Sequence, residues 1–355
     1  MGNEKLQLVK TAVTNLQKKF GKEAVNYLGN TDIEPIPRIS SQCIAIDEVT
    51  GGGYPLGRIV ELYGGESSGK TTACYHAIAQ AQKQFPEKFC GFVDSEFSFD
   101  PVYAGNCGVD VANLVVAQPE SGTDGFAILQ GMIEEGASLV VVDSVAAMVP
   151  REEVEEEDYG KGMIGVQARM MSRALRKLTS IIGKYKCVVI FTNQTREKVG
   201  LVYGNPETTS GGNALKFYAS IRLKLSKIGT IEEGSGDDKQ KTSVRTRVEA
   251  VKNKTAPPFR RAEYIVTFGK GIDNEAAVFN AIIDRGLIEK RNAGWYIVEG
   301  NKLQGVQKLR EFFTANPDIY EKYRRMVLEN RKPEVIPEEE REPEENQKVD
   351  EVGEI

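Results

Sequence analysis

The chain has 355 residues, 40% of them hydrophobic, and a formal net charge of −5, the composition of an ordinary globular protein with one large or two modest cores rather than a fibrous or disordered one. No apolar run approaches the roughly 20 residues a membrane helix needs, and the opening Met1-Gly2-Asn3-Glu4-Lys5 lacks the charged-then-apolar pattern of a secretory signal. The expected location is the cytoplasm, with no membrane partner.

In chain order, Leu6, Val9, Val13, Leu16 and Phe20 recur at helical spacing, which predicts an amphipathic helix ending near Gly21. A Pro-punctuated connector, Ile33 to Pro37, follows, so residues 1–33 are expected to form an arm that docks either on a neighbouring subunit or on its own chain. Between about Ser40 and Phe268, short β-branched runs (Arg58–Tyr63, Phe89–Asp94, Leu139–Asp143, Cys187–Thr192) alternate with helical stretches (Thr71–Gln84, Gly125–Glu135, Gln167–Lys184). Continuous apolar strands separated by helices specify an α/β core, taken as 34–269, with a largely parallel sheet covered on both faces and ligands bound beyond the carboxyl ends of the strands.

Residues 270–332 read as a small α+β module: a helix, a hairpin-like pair around Asn292–Tyr296, and more helix to about Glu329. Lys290, Arg291, Lys302 and Lys308 give it a basic face, which is either a surface for capturing duplex DNA or simply a solvated one. The last segment, 333–355, is Pro-rich and free of aromatics, with ten acidic residues against two basic ones, which leaves the body of the chain at +3. It reads as a disordered tail, acting either as a competitor for a polyanion-binding surface or as a solubilising extension. The five cysteines, odd in number and mostly in apolar stretches, read as reduced core residues. His76, inside a predicted helix, reads as a packing residue, and zinc chemistry is excluded because its usual ligands are not clustered.

The strongest local signal is Gly64 to Thr71, GGESSGKT, which satisfies G-x-x-x-x-G-K-[ST] directly after a predicted strand and before a predicted helix. Its glycines let successive amides turn inward onto phosphate oxygens, and the helix adds its positive end. Lys70 is expected to reach the β- and γ-phosphates of a nucleoside triphosphate, and the Thr71 hydroxyl to sit on Mg²⁺. Asp143-Ser144, closing an apolar strand, places a carboxylate where it can orient the metal's water shell. Glu96, after another strand, is either the carboxylate that aligns the attacking water or a surface loop acid.

Four segments, Gly64–Thr72, Phe92–Pro101 (FVDSEFSFDP), Ala168–Ser172 (ARMMS) and above all Gly204–Ser220 (GNPETTSGGNALKFYAS), resemble those of the bacterial RecA recombinases, and the likeness runs from near Leu16 to about Asn330. The resemblance implies a RecA-like phosphate-loop ATPase core. It further implies DNA-dependent ATP hydrolysis, helical self-assembly on single-stranded DNA, strand exchange with duplex DNA, and a part in DNA repair, with a single-stranded-DNA-binding protein and loading mediators as further partners. On this resemblance Gly64, Glu66, Ser67, Ser68, Gly69, Lys70, Thr71, Thr72 and Ser144 line the nucleotide, Glu96 is the catalytic carboxylate, Asp100 and Tyr103 hold adenine, and Gln194 senses the γ-phosphate. Lys252 and Lys254 are implied to reach the neighbouring subunit's ATP.

Two DNA loops, about 155–165 and 195–210, are implied as well. In or beside these loops the resemblance implies that Ile164, Gly165, Arg169, Ser172, Arg176, Arg196, Lys198, Val199, Ser210, Gly211, Gly212 and Asn213 face DNA, with Ile164 and Val199 wedging between base triplets. Gly65, Phe97 and Ser226 depart from the proline, histidine and arginine usual in the family, and the run Glu152–Asp158 is unusually acidic. The rival readings are a hexameric helicase built on the same core and an ATP-gated scaffold that coats single-stranded DNA.

Overall fold

The computed structural model describes residues 2–22, 24–25, 27, 29, 35–156, 165–197, 207–234, 239–291, 294–329 and 334–335. The chain divides into two compact units, Met1–Pro37 and Arg38–Ile355. The first contains α1 (Gly2–Phe20), which ends where the sequence predicts, at Gly21. Leu8, Leu16 and Phe20 on it are exposed.

The second unit begins with β1 (Arg38–Ile39), α2 (Ile44–Thr50) and β2 (Tyr54–Pro55), β1 and β2 forming a small antiparallel pair. It continues with β3 (Ile59–Gly64), α3 (Lys70–Gln84), β4 (Cys90–Asp94), α4 (Pro101–Asn106), β5 (Leu114–Ala117), α5 (Gly122–Glu134) and β6 (Leu139–Asp143). Next come α6 (Arg151–Val154), α7 (Val166–Tyr185), β7 (Val188–Glu197), β8 (Glu207–Thr209) and α8 (Ala214–Tyr218). Three strands and a short fourth close the main sheet: β9 (Ile221–Glu233), β10 (Gln240–Asn253), β11 (Arg260–Thr267) and β12 (Gly271–Ile272). The remainder is α9 (Asn274–Asp284), β13 (Glu289–Arg291), β14 (Trp295–Val298), β15 (Asn301–Gln304), α10 (Gly305–Ala315), α11 (Pro317–Glu329) and β16 (Glu334–Val335).

The main sheet runs β12-β11-β10-β9-β3-β7-β6-β4-β5, parallel from β9 through β5 and antiparallel from β9 outward to β12. Each central strand is apolar on both faces, and the two-residue period divides it between two cores. Leu139, Val141, Val188 and Ile190 pack with α3 residues such as Ala73 and Ile78. Val140, Val142, Val189 and Phe191 pack on the other face with Phe126 of α5 and Met171, Leu175, Leu178 and Ile182 of α7. The α7 residues recur every three or four positions, which turns the helix's arginines outward. All five cysteines are buried as free thiols.

The segment after Gly269 packs Val278 and Phe279 of α9, Tyr296 and Val298 of β14, and Leu309 and Phe313 of α10 around a third core, which also takes in Ile44 of α2. The hairpin expected around Asn292–Tyr296 is the β13–β14 pair, and β15 extends it to three strands. Of the acidic tail, only Glu334 and Val335 are described. They pair as β16 with Arg261 and Arg260 of β11, so the sequence boundary of the tail falls just before a short strand.

His76 has the packing role its sequence context suggests. It is 5% exposed; its Nε2 accepts the Ile272 N–H (2.8 Å) and its Nδ1 lies 3.3 Å from Gln42 Oε1, tying α3 to β12. Burial, with the Lys83 charge adding to it, pushes the imidazole down to about 4, because the charged ring is disfavoured away from water. The folded pKa lies below the unfolded one, so this contribution is whole above pH 6.5 and is lost as pH falls toward 4. It amounts to at most ~3 kcal/mol. Urea unfolding of His76→Gln, which keeps an acceptor for Ile272, should show a shallower loss of stability across that interval than the parent; equal slopes would refute the assignment.

Candidate nucleotide and DNA site

The phosphate loop hangs between a fully buried strand and a fifteen-residue helix. A Cβ on Gly64 would lie 2.0 Å from the Leu225 carbonyl oxygen of β9, so the strand can reach its turn only with glycine there. Ser67 (φ 54°) and Gly69 (φ 87°) then curl the backbone in the left-handed region. Gly69 caps α3 without a side-chain bond, which leaves the helix's first amides free of side-chain competitors for an anion. Lys70 Nζ rests on the carbonyls of Gly64 (3.1 Å) and Gly65 (2.8 Å), and Ser68 Oγ also donates to Gly65 (2.9 Å). Burial lowers the Lys70 ammonium from its usual range, opposed by Asp143 and Glu96. Glu66 and Ser67 stand exposed at the tip.

Behind the lysine, the strand ends converge. Thr71 Oγ1 donates to Asp143 Oδ2 (2.6 Å), and Thr192 Oγ1 of β7 donates to Oδ1 of the same carboxylate. Burial raises the Asp143 pKa, and the Thr192 and Thr71 hydroxyls work against that rise. Glu96 Oε1 accepts from Ser144 Oγ and from Gln194 Nε2 (3.3 Å). The turn carrying Glu96 is held by Asp94, which accepts from Ser98 N (3.1 Å), Phe99 N (3.0 Å) and Gln118 Nε2 (2.9 Å). Asp100 caps α4 through the amides of Val102 and Tyr103, and the Tyr103 hydroxyl meets Thr72 Oγ1 at 2.9 Å. Lys70, Thr71, Thr72, Glu96, Asp100, Tyr103, Asp143, Ser144 and Gln194 thus form one cluster. Thr192, Asp94 and Gln118 belong to it as well, although no motif singles them out.

Lys252 and Lys254 are elsewhere. Lys252 lies opposite Arg222, which lies opposite Glu61, and the Lys254 amide donates to Ser220 O (2.9 Å), whose own amide donates to Ile59 O (2.8 Å). Lys254 therefore lies level with the amino-terminal end of β3 and Lys252 level with Glu61, two strands across, whereas the phosphate loop leaves the carboxyl end of β3. Five residue steps, about 16 Å, separate Ile59 from Gly64, and three steps along with two strands across, about 14 Å, separate Lys252 from it, both farther than a lysine side chain spans. Lys252 Nζ donates to the Phe217 carbonyl (3.0 Å) and to that of Lys216. Burial, with Lys254 and Arg222 adding and Glu61 opposing, brings its pKa down to about 8.

Between these ends lie α7 and the segment 210–213. Gly165 (φ 78°) opens α7; Arg169 and Arg176, two turns apart, are exposed on one face, and Ser172 is half-buried. Gln167 Nε2 donates to the carbonyls of Val145 (3.0 Å) and Met148 (3.1 Å), fastening α7 to the chain just past Ser144. Gly211 and Gly212 have φ of 84° and 75°, and Cβ atoms there would come within 2.9 Å of Val145 Cγ1 and 2.8 Å of Ala168 Cβ. Asn213 is exposed, and Ser210 O accepts from Asn193 Nδ2 (3.0 Å). Ile164, Lys198, Val199 and the Arg196 side chain lie outside the described residues. In the small sheet, Arg291 and Lys302 share a face with Trp295, Lys290 lies on the opposite face, and Arg291 pairs with Glu289 (2.7 Å).

A parallel sheet with a glycine-rich loop running into a helix at one strand's tip, and an aspartate at the next-but-one strand's tip, defines a phosphate-loop nucleoside triphosphatase. The model of the RecA N-terminal domain family matches residues 7–273. Protein RecA of Nocardioides sp. is 45% identical over 331 residues, covering 92% of each chain. That of Clostridium acetobutylicum is 46% identical over 322 residues, 90% of each chain. That of Heliobacterium modesticaldum is 45% identical over 333 residues, 92% of this chain and 93% of the relative. The chain belongs to the RecA family, the ATP- and DNA-binding recombinases of DNA repair. This favours neither the helicase nor the scaffold. No described helix is long and apolar enough to cross a membrane.

Thr192→Val removes one of the two hydroxyls that hold the Asp143 charge. Its acid limb of ATP hydrolysis should move to higher pH, with activity retained at neutral pH. A pH profile superimposable on the parent's would contradict the shared-carboxylate geometry.

Proposed function

We propose that this chain polymerises on single-stranded DNA with ATP bound between neighbouring subunits, and that DNA-dependent hydrolysis of ATP to ADP and phosphate releases the polymer after strand exchange with duplex DNA. One observation carries the reading. The nucleotide cluster is assembled at one end of the sheet, while the lysine pair implied by the sequence resemblance sits toward the other, beyond reach of its own loop. A head-to-tail contact would bring the two together, and such a contact propagates into a helix.

In this reading the loop amides and Lys70 bind the β- and γ-phosphates, and Tyr103 with Asp100 flanks the base. Glu96 accepts the proton of the attacking water, and Gln194, hydrogen-bonded to Glu96 beforehand, turns to the γ-phosphate when ATP is present. Lys252 and Lys254 supply positive charge from the neighbour as the γ-phosphoryl group separates. The oxygen donors Thr71 and Asp143 suit a hard divalent cation, Asp143 acting through a bound water. When bound, Mg²⁺ would neutralise phosphate charge there. Arg169, Arg176 and the 210–213 segment meet the DNA backbone, which suits a protein that accepts any sequence. The division into an arm (1–33), a core (34–269), a duplex-capturing module (270–332) and a tail (333–355), the cytoplasmic location, and the loading partners belong to the same proposal.

The test mixes two inactive proteins. Glu96→Ala should assemble with ATP but not turn it over, and Lys252→Ala/Lys254→Ala should lack the neighbour's charge. In a randomly mixed polymer, about a quarter of the interfaces join an intact Glu96 to an intact lysine pair. DNA-stimulated hydrolysis should therefore reappear on mixing. If the lysines served their own subunit's nucleotide, no mixture would recover activity.

A further inference from the structure

A row of polar side chains crosses the face of the sheet that carries α7 and α8, where the sequence of each strand otherwise supplies core residues. Asn193 of β7 lies opposite Tyr63 of β3, Glu61 stands two residues before Tyr63 on the same face, Glu61 lies opposite Arg222 of β9, and Arg222 lies opposite Lys252 of β10. Asn193 and Glu61 are both 0% exposed. One Asn193 Nδ2 hydrogen goes to Glu61 Oε1 (3.0 Å) and the other to the Ser210 carbonyl (3.0 Å), while Oδ1 accepts the Gln194 amide (2.9 Å). The second Glu61 oxygen accepts from Arg222 Nε, and the guanidinium stands 4.7 Å over the Tyr63 ring.

Every polar atom of the Asn193 amide is therefore committed, in a place water does not reach. A buried amide and carboxylate hold their partners to one arrangement, because a partial displacement leaves a polar atom unpaired. Two of the Asn193 partners are the residues on either side of the proposed reaction. Ser210 opens the segment proposed to meet DNA, and Gln194 donates to Glu96.

We propose that Asn193 and Glu61 are positioning residues that link DNA occupancy of the 210–213 segment to the hydrolytic cluster. Movement of the Ser210 carbonyl repositions the Asn193 amide, which shifts Gln194 directly and, through Glu61 and Arg222, the strand that carries Lys252. The inference rests on the function proposed above, so the parent protein is assayed first. Absence of any stimulation of its ATP hydrolysis by single-stranded DNA would remove that function itself.

The inference is then tested with two variants of the full chain. Asn193→Ala should lose DNA stimulation about tenfold while DNA-free hydrolysis and the KM for ATP stay near the parent's. The Asn193→Asp/Glu61→Gln double exchange restores the hydrogen bond between positions 193 and 61 with donor and acceptor reversed, but turns a carboxylate oxygen toward the Ser210 carbonyl. It should hydrolyse ATP without DNA as the parent does and respond to DNA as weakly as Asn193→Ala. Full stimulation in the double exchange would overturn the proposal, as would a parallel fall of DNA-free and DNA-stimulated rates. If Asn193→Ala does not fold, the double exchange alone decides.

Discussion

A carboxylate withdrawn from water must be satisfied by its neighbours, and Asp143 imposes that requirement on the middle of this molecule. It is 5% exposed at the tip of β6, and its two oxygens are taken by hydroxyls from α3 and from β7. The first helical turn after the phosphate loop, the aspartate strand and the strand that carries Gln194 are thereby fixed with respect to one another. The Ser95 amide, donating to the Asp143 carbonyl at 2.8 Å, adds the turn that carries Glu96. Groups separated by as many as about 120 residues along the chain are held in one cluster because a buried charge cannot go without partners.

The same sheet keeps the two lysines proposed to complete the cluster away from it. Parallel strands put every loop that follows them at one end, and the antiparallel return of β10 brings Lys252 and Lys254 toward the other. Folding thus distributes one proposed active site over two ends of a rigid slab, an arrangement that a second copy can complete and a single chain cannot. The lowered Lys252 pKa fits this placement: its ammonium is half-withdrawn from water among other cations and is held by main-chain carbonyls at the end of α8.

The segments proposed to hold nucleotide and DNA meet over a few residues past Ser144. Gln167 clasps the carbonyls of Val145 and Met148, and Gly211 packs so closely on Val145 that a side chain would collide. Close packing of this kind transmits displacement, since there is no free volume to absorb it. Any group bound against Gly211 to Asn213 bears on the chain directly attached to the Asp143 strand.

Much of this was legible in the sequence. GGESSGKT between an apolar run and a helix specifies the phosphate loop by local chemistry, and β6 and β7 announce themselves because strands buried on both faces must be apolar at every position. The helix of residues 2–20, the free buried thiols and the packing role of His76 follow from periodicity and neighbours in the chain. The family string from Gly204 to Ser220 added roles that spacing does not supply.

What the sequence could not decide is which distant groups share an environment. Thr192 and Asp94 look like ordinary strand-end residues until β6 and β7 set a hydroxyl against Asp143, and Asn193 looks like a surface amide until Glu61 and Ser210 close over it. The antiparallel strands β9 to β11, with charged residues at alternate positions, carry no continuous apolar signal, yet their register alone sends the two lysines away from the loop. Local pattern fixes the elements, because their hydrogen bonds and periodicities are local. Pairing across the sheet fixes the site, because only burial and register determine which charges must answer one another.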